Sequence, residues 1–206
     1  MYHLPAAKQE AFVLRELTKM VEEGNAPSAQ TFTVVLHSLL HGHKPNLPAA
    51  RAVFHLLLKT GKDVPPHVYT ILLTHYFKAP SPDLEALDSL WRQVEEDGVR
   101  IDHVLYDRMT EGYASIGELG RMMLFFRKMT DAGHVPGWLA LHSALVALVK
   151  SRRWDLCTEF VADVMSDGGH LHVGKRGWKG EKEFWQLVRE LQQKKLVSDV
   201  IKNVHA

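Results

Sequence analysis

The sequence predicts an all-α chain built as an α-solenoid of stacked helix-turn-helix repeats, and two series of residues carry that reading. Glycines fall at positions 24, 61, 98, 133 and 168, spaced 37, 37, 35 and 35 residues apart. Eight residues behind each of the first four comes a large apolar residue, Phe32, Tyr69, Tyr106 or Leu141, spaced 37, 37 and 35. Two independent markers that keep one period identify a repeat architecture, in which a unit buries its apolar face only against its neighbours.

Each glycine follows a stretch with apolar residues at helical spacing and polar residues in the last turn, such as Val94-Glu95-Glu96-Asp97 before Gly98. Helices end this way when glycine supplies the left-handed residue just beyond them. From the N-terminus, residues 8–23 read as a helix closed by Gly24. Because it lacks a leading partner, residues 8–24 are expected to be half a repeat, and the chain a piece of something longer.

Four full repeats follow, at residues 29–65, 66–102, 103–137 and 138–172. Their first helices are expected over residues 32–40, 69–77, 106–113 and 141–149. The second helices are expected over 49–60, 84–97, 119–132 and 154–167, where the bulky pairs Val53-Phe54, Leu90-Trp91, Phe125-Phe126 and Phe160-Val161 recur. Apolar residues at three- and four-residue spacing on both helices make each a hairpin unable to bury its faces alone. Extra residues at 42–48 and 79–82 carry Pro45, Pro48, Pro80 and Pro82 and read as lengthened turns inside one array, not as domain boundaries. Beyond Gly168 a glycine-rich loop leads to a helix over 181–203 with Phe184, Trp185, Val188, Leu191 and Val200. It breaks the period, and residues 178–206 are expected to cap the last hairpin with a polar outer face.

Composition narrows the function. With 46% hydrophobic residues and a net charge of +1, the chain lacks the signature of disorder. Its single cysteine, Cys157, excludes an internal disulfide framework and a cysteine-rich zinc domain, and fits a reducing compartment. Cys157 falls at a small-residue position of a second helix, where a packing role is expected. No apolar run reaches about 18 residues, so no membrane span is expected. The opening Met1-Tyr2-His3-Leu4-Pro5 has neither a hydrophobic signal core nor an arginine-rich transit pattern, leaving two readings: the chain needs no address, or its address lies outside this sequence. Charge is uneven along the chain: residues 81–118 carry three Lys/Arg against ten Asp/Glu, while residues 1–80 and 150–206 are each net +3. That acidic middle is the stretch least suited to phosphate, unless its charges only solvate helix faces.

Catalytic motifs are missing. There is no phosphate loop, no His-Glu-x-x-His and no nucleophile elbow, so no enzyme and no cofactor is expected. Glu95, Glu96 and Asp97 read as a solvated helix end. His37, His41 and His43 form His-x-x-x-His-x-His, with the first two at the one-turn spacing that zinc uses, but no carboxylate or thiol lies nearby in sequence. Metal binding is therefore not expected.

The segment Gly24-x-x-Pro27-Ser28-x-x-Thr31-Phe32-Thr33-Val34-Val35-Leu36 resembles the junction of pentatricopeptide repeats, Gly-x-x-Pro-Asp-x-x-Thr-Tyr-Asn-x-Leu-Ile. The frame recurs at Gly98-x-x-Ile101-Asp102-x-x-Leu105-Tyr106-Asp107 and at Gly133-x-x-Pro136-Gly137, and Phe125-Phe126-x-x-Met129 resembles the family's Leu-Phe-x-x-Met second helix. The likeness covers about residues 8–172. Tetratricopeptide repeats share the period, but their Trp-x-x-Leu-Gly pattern is poorly matched. The resemblance implies a mitochondrial protein of the matrix that binds single-stranded RNA, one base per repeat. Carried over position by position, it assigns base reading to Thr33 with Pro65, Thr70 with Asp102, Asp107 with Gly137, and His142 with His172. Only Thr70/Asp102 matches a standard pair, one associated with guanine. Pro65 and Gly137 have no side-chain hydrogen bond to give.

Basic residues supply further RNA contacts on this reading: Lys150, Arg152 and Arg153 between paired helices, then Lys175, Arg176, Lys179 and Lys182 around Trp178, whose ring a base can stack on. The same residues equally serve solubility, with Trp178 packed under the last helix. The expected function is a non-catalytic RNA-binding module in mitochondrial RNA metabolism or translation. The alternative is a protein-interaction scaffold or structural subunit of a mitochondrial ribonucleoprotein or ribosome, using the same groove for a protein partner.

Overall fold

A computed structural model describes residues 6–41, 45–166 and 179–197. Its regular structure begins with the junctions. Gly24, Gly61, Gly98 and Gly133 sit at φ +76, +65, +61 and +75, the left-handed region that ends a helix without a Cβ clash. At Gly24, Gly98 and Gly133 the next residue's amide closes back on the helix, as in Asn25 N–H to the Met20 carbonyl at 2.8 Å. After two of these junctions a side chain restarts the helix. Ser28 caps one helix by accepting from the Thr31 amide at 3.1 Å, and Asp102 caps another by accepting from Leu105 at 3.0 Å. Such a cap contributes about 1 kcal/mol.

These stops and starts produce α1 (Ala6–Glu22), α2 (Ala29–His41), α3 (Leu47–Lys59), α4 (Pro66–Phe77) and α5 (Leu84–Glu96). Then come α6 (His103–Ile116), α7 (Leu119–Asp131), α8 (Trp138–Lys150), α9 (Trp154–Met165) and α10 (Glu181–Gln193). All regular structure among the described residues is helical, as the sequence predicts. The first helices begin upstream of the expected Phe32, Tyr69, Tyr106 and Leu141, because the junction, not the first apolar anchor, sets the start: a side-chain cap at Ser28 and Asp102, and an extended residue, Pro65 or Gly137, before α4 and α8. Helix α6 runs past the expected Tyr113 to Ile116, where Gly117 at φ +79 stops it. Helix α10 ends at Gln193, short of the expected 203, in a turn that places Lys195 at φ +54; residues 198–206 lie outside the described set.

The chain divides into two compact units, Met1–Arg100 and Ile101–Ala206. In the first, α1 packs on α3, α2 on α3 and α4, and α4 on α5, around fully buried Phe32, Leu36, Val53, Leu57, Tyr69 and Leu87. In the second, α6 packs on α7 and α8, and α8 also on α7, α9 and α10, around Met109, Tyr113, Leu141, Leu145 and Cys157. Each fully buried Leu or Phe side chain contributes about 1.5–3 kcal/mol. Within the units, then, alternate helices also pack on each other: α2 on α4 in the first, α6 on α8 and α8 on α10 in the second.

Helix α10 packs on α8, which also packs on α6. Its Phe184 and Trp185 rings lie 5.5 and 5.7 Å from Trp138. Gly180, at φ +93, lets the chain run so close to α8 that a Cβ there would sit 2.9 Å from the Leu139 backbone. No described helix is long and apolar enough to cross a membrane.

Candidate nucleic-acid interface

Thr33, Thr70, Asp107 and His142 each stand fifth in their helix, in α2 (from Ala29), α4 (from Pro66), α6 (from His103) and α8 (from Trp138). All four are half-buried, the state of a side chain flanking a helix–helix contact. The backbone fixes what each can still offer. The Thr33 hydroxyl donates to the Ala29 carbonyl at 2.9 Å, and Thr70 leans toward Pro66 at 3.5 Å, so both oxygens keep acceptor lone pairs. The Asp107 carboxylate accepts from the Gly137 amide at 3.1 Å, which ties the first turns of α6 and α8 together.

The partner positions at the junctions are all helix caps. Pro65 precedes α4 and Gly137 precedes α8, neither with a side-chain bond, whereas Asp102 spends one carboxylate oxygen on α6. Asp107 and Gly137 are thus brought together. Thr70 falls in the first unit and Asp102 in the second. His172, Lys175, Arg176 and Trp178 lie outside the described residues.

One turn beyond these positions the two units differ. In the first, the His37 and His41 rings stack at 3.8 Å with their planes 6° apart, and His75 of α4 meets His41 edge-on at 5.0 Å. Burial lowers the pKa of His75, and the neighbouring His41, Lys78 and His37 lower it further. Parallel rings set their nitrogens side by side. Among the described residues no group of three or more His, Cys, Asp or Glu is arranged to hold a metal ion, and His43 lies outside that set. In the second unit the equivalent place in α6 holds Glu111, mostly buried and paired with Arg108 at 3.0 Å. Burial raises its pKa; Arg108 and Lys179 oppose that, while Asp107 adds to it.

The basic loop after α8 is exposed, with Arg152 at φ +54. Arg153 is paired with Asp155 at 3.1 Å, which raises the arginine's pKa and lowers that of the carboxyl. Lys179 and Lys182 are exposed beside the start of α10. Cys157 is fully buried, and burial pushes its thiol up to about 11.

Sequence reasoning missed several ties. Tyr69 donates its hydroxyl to Asp97, and Trp91 Nε1 donates to Glu95 at 2.7 Å, so two of the three carboxylates expected only to solvate a helix end hold aromatic side chains. Burial raises the Tyr69 pKa first, and the Asp97 carboxylate raises it further. Lys62 donates to the carbonyls of Ala26 and Pro27 at 2.8 and 2.6 Å, and His134 Nε2 lies 3.3 Å from the Ile101 carbonyl. Lys62 and His134 each directly follow a junction glycine, so the repeat register was a usable signal for both. No family model matches the chain, and no curated protein matches it in sequence.

Proposed function

We propose that the chain is an α-solenoid of pentatricopeptide type, a non-catalytic module that binds single-stranded RNA in mitochondrial RNA metabolism or translation. Its strand would lie along the first helices. The observation that carries the reading is one of register: Thr33, Thr70, Asp107 and His142 occupy the same helical position in four successive first helices. Two further features support it. Left-handed glycines recur at the junctions, and neighbouring first helices pack directly, α2 on α4 and α6 on α8. The mitochondrial setting rests on the resemblance alone.

The test is a titration with mixed-sequence single-stranded RNA over a range of salt. Binding whose log affinity falls linearly with log salt supports the reading, at a slope of about −0.7 for each phosphate neutralised. No binding at low salt overturns it. Thr70→Asn is expected to change the preferred base at one nucleotide only; an unchanged preference removes base reading from that position.

A second reading, a protein scaffold within a ribonucleoprotein, is favoured by one observation. The α6 stripe carries Asp107 where a phosphate backbone would have to pass, and one turn on Glu111, whose charge Arg108 already pairs.

A further inference from the structure

A trough of about 710 Å³ runs between α7 and α9 in the second unit, floored by Phe126, Phe160 and Leu148. One wall is Met123 and Leu124 of α7, 39% and 50% exposed, and the other includes Leu156 of α9. Large apolar side chains so exposed along one helix mark a surface made to be covered. The trough's rim carries Asp131 on α7 and Glu159 on α9, with Arg127 the one cation among its described lining residues. No described residue forms an ion pair with Asp131 or Glu159.

We infer that this trough docks a basic amphipathic helix from a partner protein. The shape selects a helix: the two walls are helices of 13 and 12 residues, each extending about 18–20 Å, three to four helical turns. The apolar floor takes anchors at every third or fourth residue of the partner, the helix-in-groove mode of recognition. The charge selects the flanks, since lysines or arginines beside those anchors meet Asp131 and Glu159. A small polar ligand fits poorly, because the polar groups stand on the rim and do not converge on the floor. The site belongs to the second helices and is independent of the RNA reading, which concerns the first helices. Gly120 supplies a clean block: a Cβ there meets nothing within 4 Å, and replacing a helical glycine favours α7.

The probe is a labelled leucine–lysine peptide of about 14 residues with leucine on one helical face, matched to the trough length. Its controls are the leucine–glutamate counterpart and a lysine–serine peptide of equal charge. Fluorescence anisotropy is expected to show the leucine–lysine peptide binding at least about tenfold tighter than either control. Gly120→Met and Leu124→Ser should each weaken it by about tenfold, and Asp131→Lys with Glu159→Lys by about as much. Helix content and thermal midpoint of Gly120→Met should be no lower than those of the unaltered chain. Peptide affinity unchanged by Gly120→Met, or equal binding of the glutamate peptide, overturns the inference. So does sedimentation showing dimers that Gly120→Met abolishes, which would give the trough to a second copy, and so does RNA affinity that the same variant lowers.

Discussion

Replacing Gly180 by alanine tests the docking of α10 against α8 more directly than any core truncation. Two costs coincide at this position. The backbone sits at φ +93, where an L side chain is strained by about 1–2 kcal/mol. A Cβ would also lie 2.9 Å from both Cα and N of Leu139, atoms in the first turn of α8. That turn cannot yield, because Trp138, Ala140 and Leu141 on either side of Leu139 are buried. Forcing extra volume into a tight site costs about 1–3 kcal/mol, so the expected total is about 3 kcal/mol. Gly61 is the control: it has the same sign of φ, at +65, but open space around the added carbon. Gly61→Ala should therefore cost only about 1–2 kcal/mol. Asparagine tolerates the left-handed region, so Gly61→Asn should recover most of that loss while Gly180→Asn, still clashing, should not. Urea unfolding followed by circular dichroism gives the global cost. Tryptophan fluorescence, through Trp138 and Trp185, reports α10 leaving α8 ahead of the rest. Equal losses at positions 180 and 61, or rescue by asparagine at both, would refute the close approach.

Tyr69→Phe should cost about 1 kcal/mol in urea unfolding by removing the bond to the exposed Asp97. Because Tyr69 holds its proton more tightly when folded, the unfolded chain releases that proton first, and stability should fall as pH rises past about 10, a slope that the phenylalanine variant lacks. His75 has the opposite sense: its folded pKa is lowered, the unfolded chain takes up the proton first, and stability should fall as pH drops below about 6.5. His75→Gln should flatten that limb in pH-dependent thermal melts. Asp102→Ala should cost about 1 kcal/mol through loss of the α6 cap, whereas Asp102→Asn should cost little, since asparagine caps equally well.

The hairpin pattern was legible because the chemistry that sets it is local. A left-handed glycine, a capping oxygen and apolar residues one turn apart are all decided within a few residues, so helices from α1 to α9 could be placed from spacing alone. The boundaries drifted where capping and packing disagreed, as at Ala29 and Pro66, which precede the first buried aromatics of their helices. What remained hidden depends on residues far apart in the chain. His75 joins His37 and His41 only because α4 lies on α2, and Gly180 gains meaning only once α8 passes beside it. The trough between α7 and α9 was equally hidden, since Met123 and Leu124 read in sequence like any other apolar helical residues.

The hydrogen-bond inventory of the proposed reader positions bears on which base they would favour. The Thr70 hydroxyl directs its proton toward the Pro66 carbonyl, which leaves it an acceptor to anything on its outer side. Asp102 gives one carboxylate oxygen to the Leu105 amide and keeps the other, again an acceptor. On the proposed reading each position, taken within its own unit, offers an acceptor, and an acceptor suits a base that presents an N–H donor on its pairing edge. Guanine does so through its ring N–H and exocyclic amine; cytosine and adenine offer one donor group beside an acceptor. On the proposed reading, the guanine preference implied by the family pattern then has a local origin at each position: the cap takes one oxygen of Asp102 and leaves the other to accept, and the Thr70 hydroxyl leans toward its own helix and keeps its acceptor lone pairs. Asn at position 70 would restore a donor, which is why Thr70→Asn should change the base that is read and not merely weaken its binding.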